Sequence, residues 1–215
     1  MHVLSVNVGR PRPNPWKRVA LTGIDKRPVG GPVEVTVPGP KGDGSVGLAG
    51  DHAYDVKHHG GADQAVYAYA REDLDAWESE LGRTLAGGSF GENLTTTGID
   101  VNSALIGERW RVGSTLLEVS CPRVPCATFA GWLDEGGWLG RFTRAAVPGA
   151  YLRVLEPGRI TAGDPIEVVS RPGHEVTVAV SFRAITTEPG LLPLLVDLAA
   201  FPAAERAAIR DRLTR

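Results

Sequence analysis

Glycine and proline punctuate this chain from end to end, 27 of one and 16 of the other in 215 residues. Glycine admits backbone angles that end regular elements, and proline removes a ladder donor. Scattered in this way they permit many short elements and few long helices, which favours an all-β or β-rich body. The length suits one large domain with a sizeable core, or one domain with a small appendage. A net charge of −2 supplies no global basic field, so neither nucleic acid nor a membrane surface is expected as a partner. No apolar run is long enough to span a bilayer. The first residues, MHVLSVNV, alternate like a strand and lack the layout of a signal peptide. A reducing cytoplasmic setting is the expectation, with both cysteines as free thiols.

The same punctuation divides the chain into elements. Residues 1–8 read as a strand and 9–16 as a loop. Strands are expected over 18–24 and 32–37, then a glycine-rich loop over 39–50. Arg71–Leu81 reads as a helix, with Leu74, Trp77 and Leu81 on one face and Gly82 as the stop. Residues 87–97, GGSFGENLTTT, read as a loop. Residues 105–112 and 115–120 suggest a hairpin turning at Gly113-Ser114, and 151–155 with 165–169 a second pair. Paired strands in this number suggest a closed or partly closed barrel, because closure removes exposed edges. After Arg171-Pro172-Gly173 the composition shifts to Ala, Leu and Arg. Three short helices are expected there, about 177–187, 191–199 and 203–214. The division is a β-barrel domain over 1–172 and a helical element over 173–215. Such an element is too small to fold alone, so it packs on the barrel or on a second subunit of a homodimer.

Three stretches carry chemistry-bearing residues. DVKHHGGADQAVY, from Asp55, sets two histidines before two glycines. Gly60 and Gly61 allow close backbone approach, and their N–H groups with Lys57 suit an anion cradle. A plain turn, with His59 bonded to backbone, is the competing reading. In GGSFGENLTTTG, Asn93 can donate and accept, Gly91 permits close approach, and Glu92 is either a base or a solvated charge. The last is SCPRVPC, residues 120–126. Cys121 continues a strand alternation and reads as a packing thiol. Cys126 follows Pro125 outside that run, where a stiffened segment fixes the direction of its sulfur. Arg123 is near enough to lower its pKa. A nucleophile, a sulfur carrier and a soft metal ligand are all compatible with that thiol.

Together, DVKHHGGADQAVYAY at 55–69, GSFGENLTTTG at 88–98, IGERWRVG at 106–113 and LEVSCPRVPC at 117–126 resemble the MOSC-domain family. That family is named for the C-terminal domain of molybdenum cofactor sulfurases. The likeness covers nearly the whole chain, and the short helical tail is similar to that of the YiiM-like subgroup. The resemblance implies a mostly β (α+β) fold with a barrel-like core. It implies the molybdenum cofactor, a pterin dithiolene with a phosphate tail, and Cys126 as catalytic residue and molybdenum ligand. Lys57, His59, Gly60, Gly61, Asn93 and Arg123 become the expected cofactor-binding residues. The implied activity is reduction of N-hydroxylated compounds such as hydroxylaminopurines, with electrons from a partner reductase protein. Asp55, His59 and Glu92 are the candidates to supply the proton. The alternative is a sulfur-carrier or delivery module, with Cys126 holding persulfide sulfur from a pyridoxal-phosphate-dependent cysteine desulfurase.

Overall fold

A computed structural model describes residues 1–214. The strands are β1 (His2–Pro13), β2 (Leu21–Pro28), β3 (Val33–Val35), β4 (Val66–Ala70), β5 (Leu94–Thr97), β6 (Arg109–Val112), β7 (Thr115–Pro122), β8 (Ala150–Glu156), β9 (Gly158–Ile160) and β10 (Ile166–Ser170). The helices are α1 (Arg71–Leu81), α2 (Ala127–Leu133), α3 (Trp138–Ala145), α4 (Val178–Thr186), α5 (Pro193–Val196) and α6 (Ala203–Leu213). Eight strands form one sheet in the order β10-β6-β7-β8-β4-β5-β1-β2, and β3 pairs with β9. Only β4 and β5 run parallel in the large sheet. Parallel neighbours need a crossover, and α1 lies in it.

The large sheet is open in its ladder order but curls toward closure. The Val3 N–H donates to the Asp164 carbonyl at 2.9 Å, Gly163 N–H to the Val3 carbonyl at 2.8 Å, and Ile166 N–H to the Met1 carbonyl at 3.1 Å. The start of β1 therefore meets the approach to β10, and the core is barrel-like without a complete ladder.

Strand β4 shows how the interior is arranged. All five of its residues, VYAYA, are buried. Successive side chains point to opposite faces. Val66, Ala68 and Ala70 enter an aliphatic core inside the curled sheet. Tyr67 and Tyr69 enter an aromatic cluster outside it, under α1, α2 and α3. There Trp77 and Trp138 meet edge to face at 4.8 Å, and Phe90 and Phe129 at 5.1 Å. Such pairs add roughly 0.5–1.5 kcal/mol each beyond the area they bury. The tail joins the first core through Val178, Leu195, Phe201 and Ile209.

Helix α1 has the bounds read from the sequence, with Gly82 left-handed at φ 66° closing it. The hairpin of β6 and β7 also lies where expected, as do the first and last tail helices; the middle one, expected over 191–199, shrinks to the single turn of α5. Four further features differ. Strand β1 runs on through residues 9–13, read as loop. Pro11 falls where the β1–β2 register shifts, between Arg10 and Arg12, a place that tolerates a missing donor. Strand β5 occupies the end of the supposed loop 87–97. Its Thr95 and Thr96 are buried, with hydroxyls bonded to Glu92 and to the Tyr69 carbonyl. The second hairpin does not form: β8 lies between β7 and β4, while β10 pairs with β6. Helices α2 and α3 fill 127–145, where Gly131, Gly136, Gly137 and Gly140 obscure the helical period.

Candidate functional site

The site begins where β7 leaves the sheet. Pro122, opposite Ala150, is the last paired residue. The chain crosses through Arg123-Val124-Pro125 to α2, and Cys126 is the extended residue capping that helix. Its carbonyl accepts from the Ala130 N–H at 3.0 Å. Phe129 and Leu133 anchor α2 in the aromatic cluster, so packing outside the sheet sets where Cys126 stands.

Arg123 is buried beneath it. The guanidinium carbon lies 3.7 Å from the centre of the Phe129 ring and 5.2 Å from that of Tyr67. Its Nη1 donates to the Phe90 carbonyl, and its Nε has no partner. Burial by itself would raise the Cys126 thiol. It is outweighed by a hydrogen bond from His59, the charge of Arg123, the Phe129 N–H and the charge of His59, which bring the thiol down to about 6. At neutral pH the sulfur is therefore mostly thiolate, the reactive and metal-binding form.

Two clefts meet at this sulfur and share His59, Gln64, Tyr151 and Cys126. The first, about 110 Å³, is lined by polar groups that include Asn14, Thr22, Lys26, Asp51, Asn93 and Arg123. The second, about 360 Å³, opens toward the tail. Gln64 Oε1 and Arg123 Nε are both buried without a partner, and both border the first cleft. An unmet buried donor or acceptor costs on the order of 1–3 kcal/mol. A ligand offering the complementary atoms would recover that cost.

The structure brings Cys126, His59, Gly60, Asn93 and Arg123 to the first cleft but alters the part several of them play. Lys57 is exposed and borders neither cleft. Lys26 stands in the first instead, paired with Asp51. Lys17, paired with Asp55 at 2.7 Å, and Lys41 border the second. Gly60 and Gly61 have φ of 88° and 80°. The close approach they permit is to the 38–50 loop. A Cβ on Gly61 would sit 3.0 Å from Lys41 N, and one on Gly60 3.0 Å from the Ser45 carbonyl. The Gly61 N–H is already given to that carbonyl.

Asn93 is likewise committed within the protein. Its Oδ1 accepts from the Tyr67 N–H at 3.1 Å, and its Nδ2 donates to Asp51 at 2.6 Å and to the Asn7 carbonyl at 3.3 Å. It fastens the 87–93 turn to β4 and β1 rather than offering an open amide. Glu92 is neither a solvated charge nor a base in the cleft. It is fully buried, accepting from the N–H groups of Gly88 and Phe90 and from the Thr95 hydroxyl. Burial raises its pKa against those bonds. Asp55 is held ionised: burial would raise it, but Lys17, His59 and His58 bring it below the usual value. Cys121 is the packing thiol expected, with burial pushing it up to about 12. Gln64, Tyr67, Tyr151, Lys26 and Asp51 were not singled out by the sequence. Only tertiary folding brings them to one place, and no local pattern marks them.

No helix among the described residues is long and apolar enough to cross a membrane. A MOSC-domain family model matches residues 55–167, more than half of the chain. Protein YflK of Bacillus subtilis, itself uncharacterized, is 34% identical over 84% of this chain and 79% of its own length. A protein of Gibberella moniliformis named as a reductase is 31% identical over 89% of this chain, which spans 36% of that longer protein. The crystal structure of YiiM from Geobacillus stearothermophilus superposes with a TM-score of 0.80 and 29% identity, covering 99% of this chain and 98% of that one. The matched model, the similarity over most of the chain and the shared fold agree, and the chain belongs to the MOSC-domain family as a YiiM-like member.

Proposed function

We propose that this protein is a molybdenum-cofactor-dependent reductase of N-hydroxylated compounds, with Cys126 as the protein thiolate on the metal and electrons drawn from a partner protein. The observation that carries the reading is the thiol itself: half-buried, lowered to about 6, and bordering a cleft with two unmet buried polar groups. Molybdenum takes soft thiolate ligands. Membership in a family associated with that cofactor, and a relative named as a reductase, support the same reading.

The donor set fits such a group. Among the described residues no three His, Cys, Asp or Glu side chains gather into a metal site. A metal at Cys126 would take one thiolate from the chain and complete its shell from the cofactor. Arg123 Nε suits the negative charge of a dithiolene or phosphate. Gln64 Oε1 suits the amino and ring N–H groups of a pterin. When bound, the cofactor supplies the two-electron chemistry. The overall change is R–NHOH + 2e⁻ + 2H⁺ → R–NH₂ + H₂O. Of the three candidate proton carriers, Glu92 is enclosed in its own turn and Asp55 is held ionised by Lys17. His59 remains; it borders both clefts, and its influence lowers the Cys126 thiol.

The test is molybdenum content by elemental analysis in wild type and Cys126→Ser from a cofactor-competent host, with hydroxylaminopurine reduction by a chemical donor. Near-stoichiometric metal and turnover in wild type, both lost in the variant, are expected. Metal in neither protein overturns the reductase. Added sulfur on Cys126 after incubation with a cysteine desulfurase would then install the carrier role in its place.

A further inference from the structure

Cys126 borders two clefts, and only the first has been given an occupant. The second is the larger, at about 360 Å³, within the range of roughly 300–1,000 Å³ usual for small-molecule sites. Its walls come from two separate parts of the chain. Pro122, Val124 and Pro125 line one side, and Ile185, Phe201 and Glu205 of the helical tail line the other. The apolar surfaces can hold the faces of a flat molecule. The rim is polarised: the tail contributes the exposed carboxylate of Glu205, and the loops contribute Lys41 and His58. Lys17 is already neutralised by Asp55. Glu205 and Cys121 both line this cleft.

We propose that the second cleft is where substrate reaches Cys126, and that the helical tail selects it: a flat, mostly apolar N-hydroxylated ring compound lies between Val124 and Pro125 on one side and Ile185 and Phe201 on the other, with a donor-bearing edge on Glu205. This rests on the reductase reading. It gives the tail a part in specificity, besides its share of the core. The first cleft, bordered by the unpartnered Arg123 Nε, keeps the cofactor, and the two occupants meet at the thiolate. Val124, Ile185 and Glu205 act on recognition and not on chemistry, so their effect belongs in KM.

Val124 is 48% exposed and Ile185 only partly buried, so Val124→Trp and Ile185→Trp narrow the cleft without opening the core. The metal-loaded full-length protein is assayed with a two-ring probe, N6-hydroxyadenine, and a one-ring probe, benzamidoxime. In either variant KM for the two-ring probe is expected to rise on the order of tenfold, as for misfit in an apolar pocket, and less for the one-ring probe. Molybdenum content and kcat stay at wild-type values. Glu205→Gln raises KM for the two-ring probe, whose imidazole N–H is the donor away from the reacting N–OH, again at constant kcat. A second readout needs no turnover. In full-length protein made without cofactor, labelling of Cys126 by N-ethylmaleimide slows in both tryptophan variants. Unchanged KM in loaded variants together with unchanged labelling overturns the proposal. If wild type binds no molybdenum, the reductase reading fails by itself. The labelling then decides the cleft: slowed labelling upholds it as the approach to Cys126, and unchanged labelling overturns it.

Discussion

The end of β7 and the turn just beyond it hold one thiol each, five positions apart, and treat them in opposite ways. Cys121 faces the aliphatic core, where burial dominates and pushes it up to about 12. Cys126 has left the ladder. It has lost less water and gained His59, Arg123 and the Phe129 N–H, which bring it down to about 6. The same side chain is thus inert filling in one place and an anion in the other. Burial raises both; the difference is what surrounds each sulfur once it is buried. That turn exists because Pro125 and the cap of α2 direct Cys126 away from the sheet, over a guanidinium clamped between two rings.

The largest expected effect follows directly. At pH 7 the thiolate fractions implied by values near 6 and 12 differ by about five orders of magnitude. In cofactor-free native protein, iodoacetamide should modify Cys126 and leave Cys121 unmodified until the chain is unfolded, as read by peptide mass spectrometry. The Cys126 rate should level off above pH 6 and fall about tenfold per pH unit below it. Comparable labelling of both thiols would remove the contrast altogether.

A smaller effect sharpens the cause. His59→Ala deletes a hydrogen bond and a charge that both lower the thiol, leaving Arg123 and burial in place. The labelling midpoint should move up by roughly one pH unit or more, with the plateau rate above pH 9 unchanged. A midpoint that stays near 6 would assign the depression to Arg123 and the Phe129 N–H.

The difference between the thiols was partly legible in the sequence. Cys121 continues an alternation that ends at Pro122, and Cys126 stands past a second proline with an arginine nearby. Helix α1 was legible for a similar reason: its apolar spacing and its glycine stop are local. What stayed hidden depends on distant pairing. Thr95 looks like loop because its hydroxyl is polar, yet it is a buried strand residue whose needs are met by Glu92 and Asn7. Gly60 and Gly61 look like a ligand cradle because glycine admits close approach, and the sequence does not say what approaches; it is the 38–50 loop. Asn93 and Glu92 look free to act until their partners on other elements are counted. Helices α2 and α3, which position Cys126, are broken by glycines, and their apolar faces become readable only against Trp77 and Phe90.

The smallest effect concerns stability and has opposite signs for the two thiols. A thiol lowered in the fold, as at Cys126, adds stability that is fully present above its unfolded value near 9 and is lost as pH falls through about 6. A thiol raised in the fold, as at Cys121, adds stability that is full below its unfolded value and is lost as pH rises through about 9 toward 12. In cofactor-free protein, the gap in urea midpoint between wild type and Cys126→Ala should therefore grow from pH 6 to pH 9. For Cys121→Ala the gap should be about 1 kcal/mol, the cost of a small buried truncation, flat from pH 5 to pH 8 and shrinking above 9. Both gaps moving together with pH would mean that the two sulfurs share one environment, and the separation of the turn from the strand would then carry no chemical consequence.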